Sequence, residues 1–221
     1  MTVPKPHYSA PQMALRTAII LLIFMVIFTA LLSAAYQFTK PAIDASALQE
    51  KMKLINEVLP KSEYDNDLLK DILQLPPTPE LGLDQPSTVY RARRGGQPVA
   101  LVMETVAPDG YAGKIRLIIA LRADGPILGV RAISHKETPG LGDYIEPKKD
   151  KNKTRPWISQ FEGLAASSPE AAWKVKKDGG TLDFYSGATV TPRAVARAIH
   201  KAARFTGEHK DQLFASSGTT Q

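Results

Sequence analysis

An uncharged run of 23 residues near the amino terminus constrains this chain more than any other feature of its sequence. The run extends from Thr17 to Thr39, between Arg16 and Lys40, and is rich in Leu, Ile, Phe and Ala. As an α-helix rising about 1.5 Å per residue it would reach about 34 Å, enough to cross a bilayer core about 30 Å thick. The sequence therefore predicts a transmembrane helix at residues 17–39.

A cleaved signal peptide is the alternative interpretation of this run, because residues 33–35, Ser-Ala-Ala, loosely resemble a cleavage site. However, the apolar stretch from Thr17 to Leu32 is longer than the apolar part of a usual signal peptide. Tyr36 and Phe38 also lie where interfacial aromatic residues would end a membrane span. We therefore favour an uncleaved, single-pass anchor.

The orientation of the anchor depends on the short segment before it, since basic residues on the two sides are nearly balanced. Residues 1–16 contain Lys5 and Arg16 and no acidic residue. We therefore expect residues 1–16 to be a cytoplasmic tail of an inner-membrane protein. The main domain would then lie on the periplasmic, extracytoplasmic side.

The composition excludes several kinds of redox and binding site. The chain has no cysteine, which excludes disulfide scaffolds, thiolate zinc sites and iron–sulfur clusters. Its four histidines are widely spaced, so any redox chemistry would need an organic cofactor. Although the net charge is +6, the lysine run at 148–153 includes an aspartate and no aromatic residue, so we expect a solvated surface and no nucleic-acid partner.

Apolar periodicity and turn residues divide the rest of the chain. Helical spacing of apolar residues predicts an amphipathic helix at 42–59, and the proline-rich stretch 75–86 cannot form a helix interior or a central strand. We therefore expect a helical and proline-rich connector at 40–86, a main domain at 87–207 and a C-terminal tail at 208–221, disordered from residue 215.

Within the main domain, strand-like segments flank Gly95-Gly96 and Asp124-Gly125, which predicts two antiparallel hairpins. A weak strand is predicted at 173–176. An amphipathic helix is predicted at 192–205, started by Pro192 and stopped by Gly207. Because helices and strands do not alternate regularly, the predicted fold class is α+β.

The segment LDFYSGATVTP, residues 182–192, places small residues directly before this helix. A helix start presents free N–H groups and a positive dipole end, which favour a phosphate, and Thr189 places a hydroxyl there. The alternative is structural: Thr189 or Thr191 would only cap the helix.

A second loop, KETPGLG at residues 136–142, combines glycines that allow close backbone approach with the polar residues Glu137 and Thr138. A plain glycine turn is the alternative interpretation. Neither segment has the glycine spacing of a Rossmann or Walker loop.

Together the two segments resemble the FMN-binding domain family. DFYSGAT, residues 183–189, resembles its flavinylation motif Asp-x-x-Ser-Gly-Ala-Thr, and KETPGLG resembles its companion loop. The anchor, the length and the order of parts resemble the G subunits of Rnf (Rsx) ion-translocating electron-transport complexes. The C subunits of sodium-pumping NADH:quinone oxidoreductases are relatives of these proteins. The resemblance covers the anchor and residues 89–205.

In that family a flavin transferase cleaves FAD and joins FMN through its phosphate to the last threonine of the motif. The resemblance therefore implies a covalent FMN phosphoester on Thr189. It implies transferase recognition and a local FMN environment at Asp183, Ser186, Gly187 and Ala188. It also implies flavin-pocket residues at Glu137, Thr138, Gly140, Leu141, Gly142 and Tyr111.

The resemblance further implies a membrane-anchored subunit that carries electrons within an ion-translocating ferredoxin:NAD oxidoreductase, rather than a self-sufficient enzyme. Its partners would be the other membrane subunits of an Rnf-type complex and, for maturation, a flavin transferase. Two alternatives are a membrane-anchored flavin-dependent sensor and a flavin-free assembly module of a membrane complex.

Overall fold

The structure, a computed structural model, describes residues 9–215, and the chain divides into two compact units, Met1–Lys51 and Met52–Gln221. The first unit is built from helix α1 (Ala10–Val58), whose last turns belong to the second. Pro41 lies inside α1, so the predicted span and the predicted amphipathic helix are parts of one helix. By length and composition α1 can cross a membrane, as predicted for residues 17–39.

The second unit contains a five-stranded antiparallel sheet whose spatial order equals the chain order. Its strands are β1 (Ile72–Leu75), β2 (Ser87–Arg94), β3 (Gln97–Gly110), β4 (Gly113–Arg122) and β5 (Ile127–Ser134). Both predicted hairpins are confirmed, β2–β3 around Gly95-Gly96 and β4–β5 around Asp124-Gly125. With the helices described below, the predicted α+β class is confirmed.

A third hairpin, which the sequence analysis did not predict, joins β3 to β4. Gly110 pairs with Gly113, so Tyr111 and Ala112 form the two-residue turn between the strands. Strands of 14 and 10 residues carry this turn to one end of the sheet. Tyr111 is thereby placed at the edge of the cleft described below.

Both faces of the sheet are covered, which explains why residues 100–107 of β3 and 117–121 of β4 are buried without alternation. Alternate residues of β4, such as Leu117 and Ile119, face helices α2 (Val190–Glu208) and α3 (Lys210–Phe214) in one core cluster. Ile118 faces the other way, in a second cluster with the last turns of α1. Burial on both faces replaces the alternation expected of a half-exposed strand.

The segment 52–86 is part of this unit rather than a spacer before it. Ile55 and Leu59 are fully buried in the second core cluster, and β1 pairs along its whole length with β2. Asp71 accepts hydrogen bonds from Arg91 and Arg93, at 2.6 Å each. The predicted division at residues 86/87 therefore separates β1 from the sheet to which it belongs. The sequence analysis did not identify β1, because its apolar pattern is too short to indicate a strand.

The C-terminal part differs from its prediction in detail. Residues 173–176 form the end of a 3₁₀ turn (Glu170–Trp173) and one isolated bridge, Val175 to Leu182, instead of a strand. The predicted helix 192–205 is confirmed as α2, which continues through Gly207. The predicted tail includes α3, whose carbonyl at Phe214 accepts a hydrogen bond from Arg93. The rest of the predicted tail, residues 216–221, lies outside the described residues.

Candidate functional site

A cleft of about 250 Å³ lies at the start of α2, where the two loops singled out in the sequence meet. The KETPGLG loop (residues 136–142) follows β5, the DFYSGAT loop (residues 183–189) precedes α2, and the β3–β4 turn supplies a third wall. The residues that line the cleft are Tyr111, Glu137, Thr138, Leu141, Gly142, Gly187, Ala188, Thr189, Val190 and Thr191.

Thr189 holds the N-cap position of α2, yet its side chain makes no cap hydrogen bond. Its backbone has φ −98° and ψ −18°, a helical conformation, whereas a capping residue usually has extended angles. Among residues 9–215 no hydrogen bond to its hydroxyl is formed, and the residue is half-buried beside the cleft. The capping interpretation therefore does not explain Thr189, whose hydroxyl is available for chemistry.

Thr191 has a different task from Thr189. Its side chain is buried, and its hydroxyl donates a hydrogen bond to Oε2 of Glu137. Thr191 is thus not a helix cap either, because its hydroxyl faces the KETPGLG loop.

Glu137 is the acidic residue that lines the cleft, and 4% of its surface is exposed. Its Oε1 accepts a hydrogen bond of 3.0 Å from the N–H of Ala112, in the β3–β4 turn. Its own N–H donates to Nδ1 of His135 at 3.1 Å. Through Ala112 and Thr191 the Glu137 carboxyl group connects the KETPGLG loop to the β3–β4 turn and to the first turn of α2.

Gly142 is required by this arrangement. A Cβ at this position would lie 2.8 Å from Oε2 of Glu137 and 2.8 Å from Oγ1 of Thr191, closer than atoms pack. Gly142 therefore allows the KETPGLG loop to press against α2. Gly140 lies outside the cleft lining and donates its N–H to Oδ1 of Asp143 at 2.8 Å, inside its own loop.

The rim of the cleft is apolar and open to solvent. Tyr111 is 71% exposed, Leu141 48% and Val190 42%. In the described part of the second unit, Leu69 is the one other exposed large hydrophobic residue after Met52. Such a local concentration of exposed apolar side chains is typical of a ligand or partner site.

Asp183 and Ser186 are predicted site residues that do not line this cleft. The C=O of Asp183 accepts from Nε1 of Trp157 at 2.6 Å, and its N–H donates to Oε1 of Gln160 at 2.8 Å. Its carboxylate pairs with Lys176 at 2.5 Å. Ser186 is exposed and lines neither this cleft nor the next one.

A second, more polar cleft of about 470 Å³ is lined in part by the first residues of the DFYSGAT loop. It is lined by Asp150, Asn152, Arg155, Trp157, Gln160, Thr181, Asp183, Phe184 and Tyr185. Residues 183–185 of the loop therefore line the polar cleft, and residues 187–189 line the cleft at the start of α2.

Several aromatic residues that support the loop were not identified from the sequence. The Tyr144 hydroxyl donates to the C=O of Ala188 at 3.2 Å, and burial raises the pKa of that phenol. The Tyr144 ring meets Tyr185 edge to face at 4.5 Å. A hydrogen bond to Asp150, with burial, raises the pKa of Tyr185 to about 12. No local pattern marks these contacts, because the partners lie 35 to 44 residues apart in sequence.

The cleft residues fit a flavin mononucleotide, which combines a phosphate with a flat and largely apolar ring. The first N–H groups of the 19-residue helix α2 lie beside the free Thr189 hydroxyl and suit a phosphate. Gly187 has φ +86° and open space around it, so the backbone can approach a ligand closely. The exposed rim offers apolar surface to the ring.

Comparison with known proteins agrees with this geometry. Residues 110–204 match the FMN-binding domain family, and residues 1–58 match the RnfG N-terminal region. The G subunit of the ion-translocating oxidoreductase complex of Pseudomonas aeruginosa (strain UCBPP-PA14) is 43% identical over 202 residues, 91% of this chain and 92% of the relative. The protein of the same name from Shewanella piezotolerans is 38% identical over 208 residues, 94% of this chain and 96% of the relative. With an FMN-binding domain behind a helix able to span a membrane, the chain belongs to the family of G subunits of ion-translocating oxidoreductase complexes.

Proposed function

We propose that this chain is a membrane-anchored flavoprotein subunit that carries electrons through an FMN covalently bound to Thr189. The complex would be an Rnf-type, ion-translocating ferredoxin:NAD oxidoreductase. The observation that supports the proposal most directly is the free Thr189 hydroxyl, which stands at the start of α2 and at the edge of the cleft.

The covalent bond forms by transfer of FMN from FAD to the threonine. The Thr189 oxygen forms a bond to the FMN phosphorus, the bond between the two phosphates of FAD breaks, AMP leaves, and the hydroxyl proton passes to the transferase. The free Thr189 hydroxyl provides the acceptor, and the N–H groups of α2 favour the charge of the resulting phosphodiester. The tether makes flavin binding intramolecular, which prevents loss of the cofactor.

The remaining cleft residues bind and shield the cofactor. Bound FMN supplies one- and two-electron redox chemistry, which the chain's own side chains lack. The exposed rim, Tyr111 and Leu141 above all, would hold the apolar ring, and Thr138 would offer it a hydroxyl. Glu137, buried in the cleft lining and bonded to Ala112 and Thr191, would place its acidic group next to the cofactor.

The partners of the protein follow from this role. The other membrane subunits of the complex deliver and remove electrons, and a flavin transferase matures the protein. Residues 17–39 cross the inner membrane, residues 1–16 form the cytoplasmic tail, and the flavin domain lies on the periplasmic side. A reporter that is active only in the periplasm, fused after Gln221, is expected to be active; activity of a cytoplasm-specific reporter there would overturn the orientation.

The covalent bond is tested by paired variants, Thr189→Ala and Thr191→Ala, coexpressed with a flavin transferase. Fluorescence of the denatured protein in a gel reports covalent flavin. Thr189→Ala is expected to lose the fluorescent band and to fold normally, because its hydroxyl makes no hydrogen bond in the described chain. Complexes assembled with this variant are expected to lose electron transfer.

Thr191→Ala is the matched control, since it removes the same group two residues further along the helix. It is expected to keep the fluorescent band, because the Thr191 hydroxyl already binds Glu137. A fluorescent band in Thr189→Ala, or loss of the band only in Thr191→Ala, would show that the flavin is bound to a residue other than Thr189. A wild-type chain without any flavin would instead support the assembly-module alternative.

A further inference from the structure

Asp150 lies in the lysine-rich segment 148–153, which the proposed function leaves without a role. Only 1% of the residue is exposed, and its carboxylate makes no ion pair within residues 9–215. Oδ1 accepts hydrogen bonds from the N–H of Asn152 at 2.9 Å and from the hydroxyl of Tyr185 at 2.6 Å. Oδ2 accepts a hydrogen bond of 2.5 Å from the N–H of Trp157.

This pattern requires a carboxylate. The two backbone N–H groups approach different oxygens of Asp150, so both oxygens must be acceptors. An asparagine in either orientation would present its NH₂ to one of these donors and leave that donor unpaired. The carboxylate therefore organises the segment 150–157 and at the same time holds the Tyr185 hydroxyl.

Tyr185, which Asp150 holds, in turn contacts the residues next to Thr189. Its C=O accepts a hydrogen bond of 3.1 Å from the N–H of Ala188. Its ring packs edge to face on Tyr144, whose hydroxyl donates to the C=O of Ala188. Both backbone groups of Ala188, the residue before Thr189, are thus held by the pair Tyr144 and Tyr185.

We propose that Asp150, acting through Tyr185, is a positioning residue that holds the DFYSGAT loop so that the Thr189 hydroxyl is presented for FMN transfer. This inference rests on the proposed function, because it concerns the same acceptor hydroxyl. Through Asp150 the lysine-rich segment would help to position the DFYSGAT loop. The lysines face solvent, and the aspartate between them ties the segment to the loop.

The test measures the rate of flavin transfer to the full-length chain. The protein is produced in detergent without a flavin transferase, and covalent flavin is then followed with purified transferase, FAD and Mg²⁺. Tyr185→Phe removes one hydroxyl and keeps the ring that packs on Tyr144. We expect kcat of the transferase with this variant to fall several-fold while KM for the acceptor protein is unchanged.

Tyr64→Phe is the matched control, because the Tyr64 hydroxyl is also buried but has no hydrogen-bond partner in the described chain. It is expected to react like wild type. Asp150→Asn is the second variant and is expected to lower kcat as well, since its NH₂ leaves one of the two backbone donors of the segment 150–157 unpaired. Comparing the melting temperatures of Tyr185→Phe and Tyr64→Phe separates positioning from general loss of stability.

A wild-type rate in Tyr185→Phe and Asp150→Asn, with flavin still on Thr189, would overturn the positioning role and leave the proposed function intact. A several-fold increase in KM alone would also overturn it, because that result indicates contact with the transferase. If the wild-type chain accepts no flavin on Thr189, the proposed function fails instead, and the positioning role fails with it.

Discussion

In the first half of the DFYSGAT loop, residues 183–185, hydrogen bonds tie backbone and side chains to distant parts of the chain. Trp157 and Gln160 hold the backbone of Asp183, and Asp150 holds the Tyr185 hydroxyl. In the second half, residues 186–189, Ser186 and Gly187 are exposed, and no side-chain hydrogen bond is formed to Thr189 in the described chain.

This contrast suggests a division of labour within seven residues. The first half fixes where the loop lies, since its bonds reach segments more than 20 positions away in sequence. In the second half Ala188 is buried and held by Tyr144 and Tyr185, but Ser186 and Gly187 are exposed, so another protein can approach the Thr189 hydroxyl past these two residues. A loop bonded along its whole length would hide the acceptor, and a loop free along its whole length would not present it in one position.

The largest effect on stability is expected at Trp157, which supports the first half of the DFYSGAT loop. Trp157 is 4% exposed, packs edge to face on Tyr144 and Phe161, and donates to Asp183. Trp157→Ala should therefore lower the free energy of unfolding by about 3–5 kcal/mol, as truncation of buried aromatic residues does. Denaturant unfolding of the detergent-solubilised chain measures this change.

Trp157→Phe is the control for Trp157→Ala, because it keeps an aromatic ring and loses only the Nε1 donor and part of the volume. It should cost less stability than the alanine variant. Equal losses of stability in the two variants would show that Trp157 stabilises the loop mainly through its hydrogen bond to Asp183 and not through packing.

A smaller effect is expected at Gly187, in the open half. Its φ is +86°, and an added Cβ would find only Leu141 Cδ2, at 4.0 Å. Gly187→Ala should therefore cost only backbone strain, about 1–2 kcal/mol. Gly163→Ala is a matched control, with φ +81° and nothing within 4 Å of the added Cβ.

The two glycine variants should melt alike, whereas only Gly187→Ala should reduce covalent flavin, because its strain is relieved by moving the loop that carries Thr189. Thermal unfolding and in-gel fluorescence measure the two quantities. Equal flavin incorporation in both variants would mean that the conformation at Gly187 has no part in presenting the hydroxyl.

Elements marked by local sequence were predicted well. The hairpins around Gly95-Gly96 and Asp124-Gly125 and the helix predicted at 192–205 depend on turn residues and short-range periodicity, although α2 begins two residues earlier, at Val190. The β3–β4 hairpin was missed because Tyr111-Ala112 is not a typical turn pair. Strand β1 was missed because four residues carry too little periodicity, and pairing with β2 defines it.

For the site, motif resemblance located the cleft, but contacts between distant residues decide what each residue does. The structure groups Tyr111, Glu137, Thr138 and Thr189 around one cleft and turns Asp183 toward another. The bond between Thr191 and Glu137 spans 54 positions, which no single-sequence pattern reveals.

The smallest effect on stability is expected at Ser186, in the second half of the DFYSGAT loop. Substitution of this residue tests most directly whether the second half is open to the transferase. Its side chain is exposed and forms no hydrogen bond in the described part of the chain, so Ser186→Ala should change the free energy of unfolding by less than about 0.5 kcal/mol. With stability unchanged, slower flavin transfer would not reflect general unfolding, and KM for the acceptor protein reports contact with the transferase. We therefore expect KM for the acceptor protein to rise and kcat to stay constant, the reverse of the result for Tyr185→Phe. A fall in kcat at constant KM would show that Ser186 also positions Thr189, and the division between the two halves of the loop would not hold.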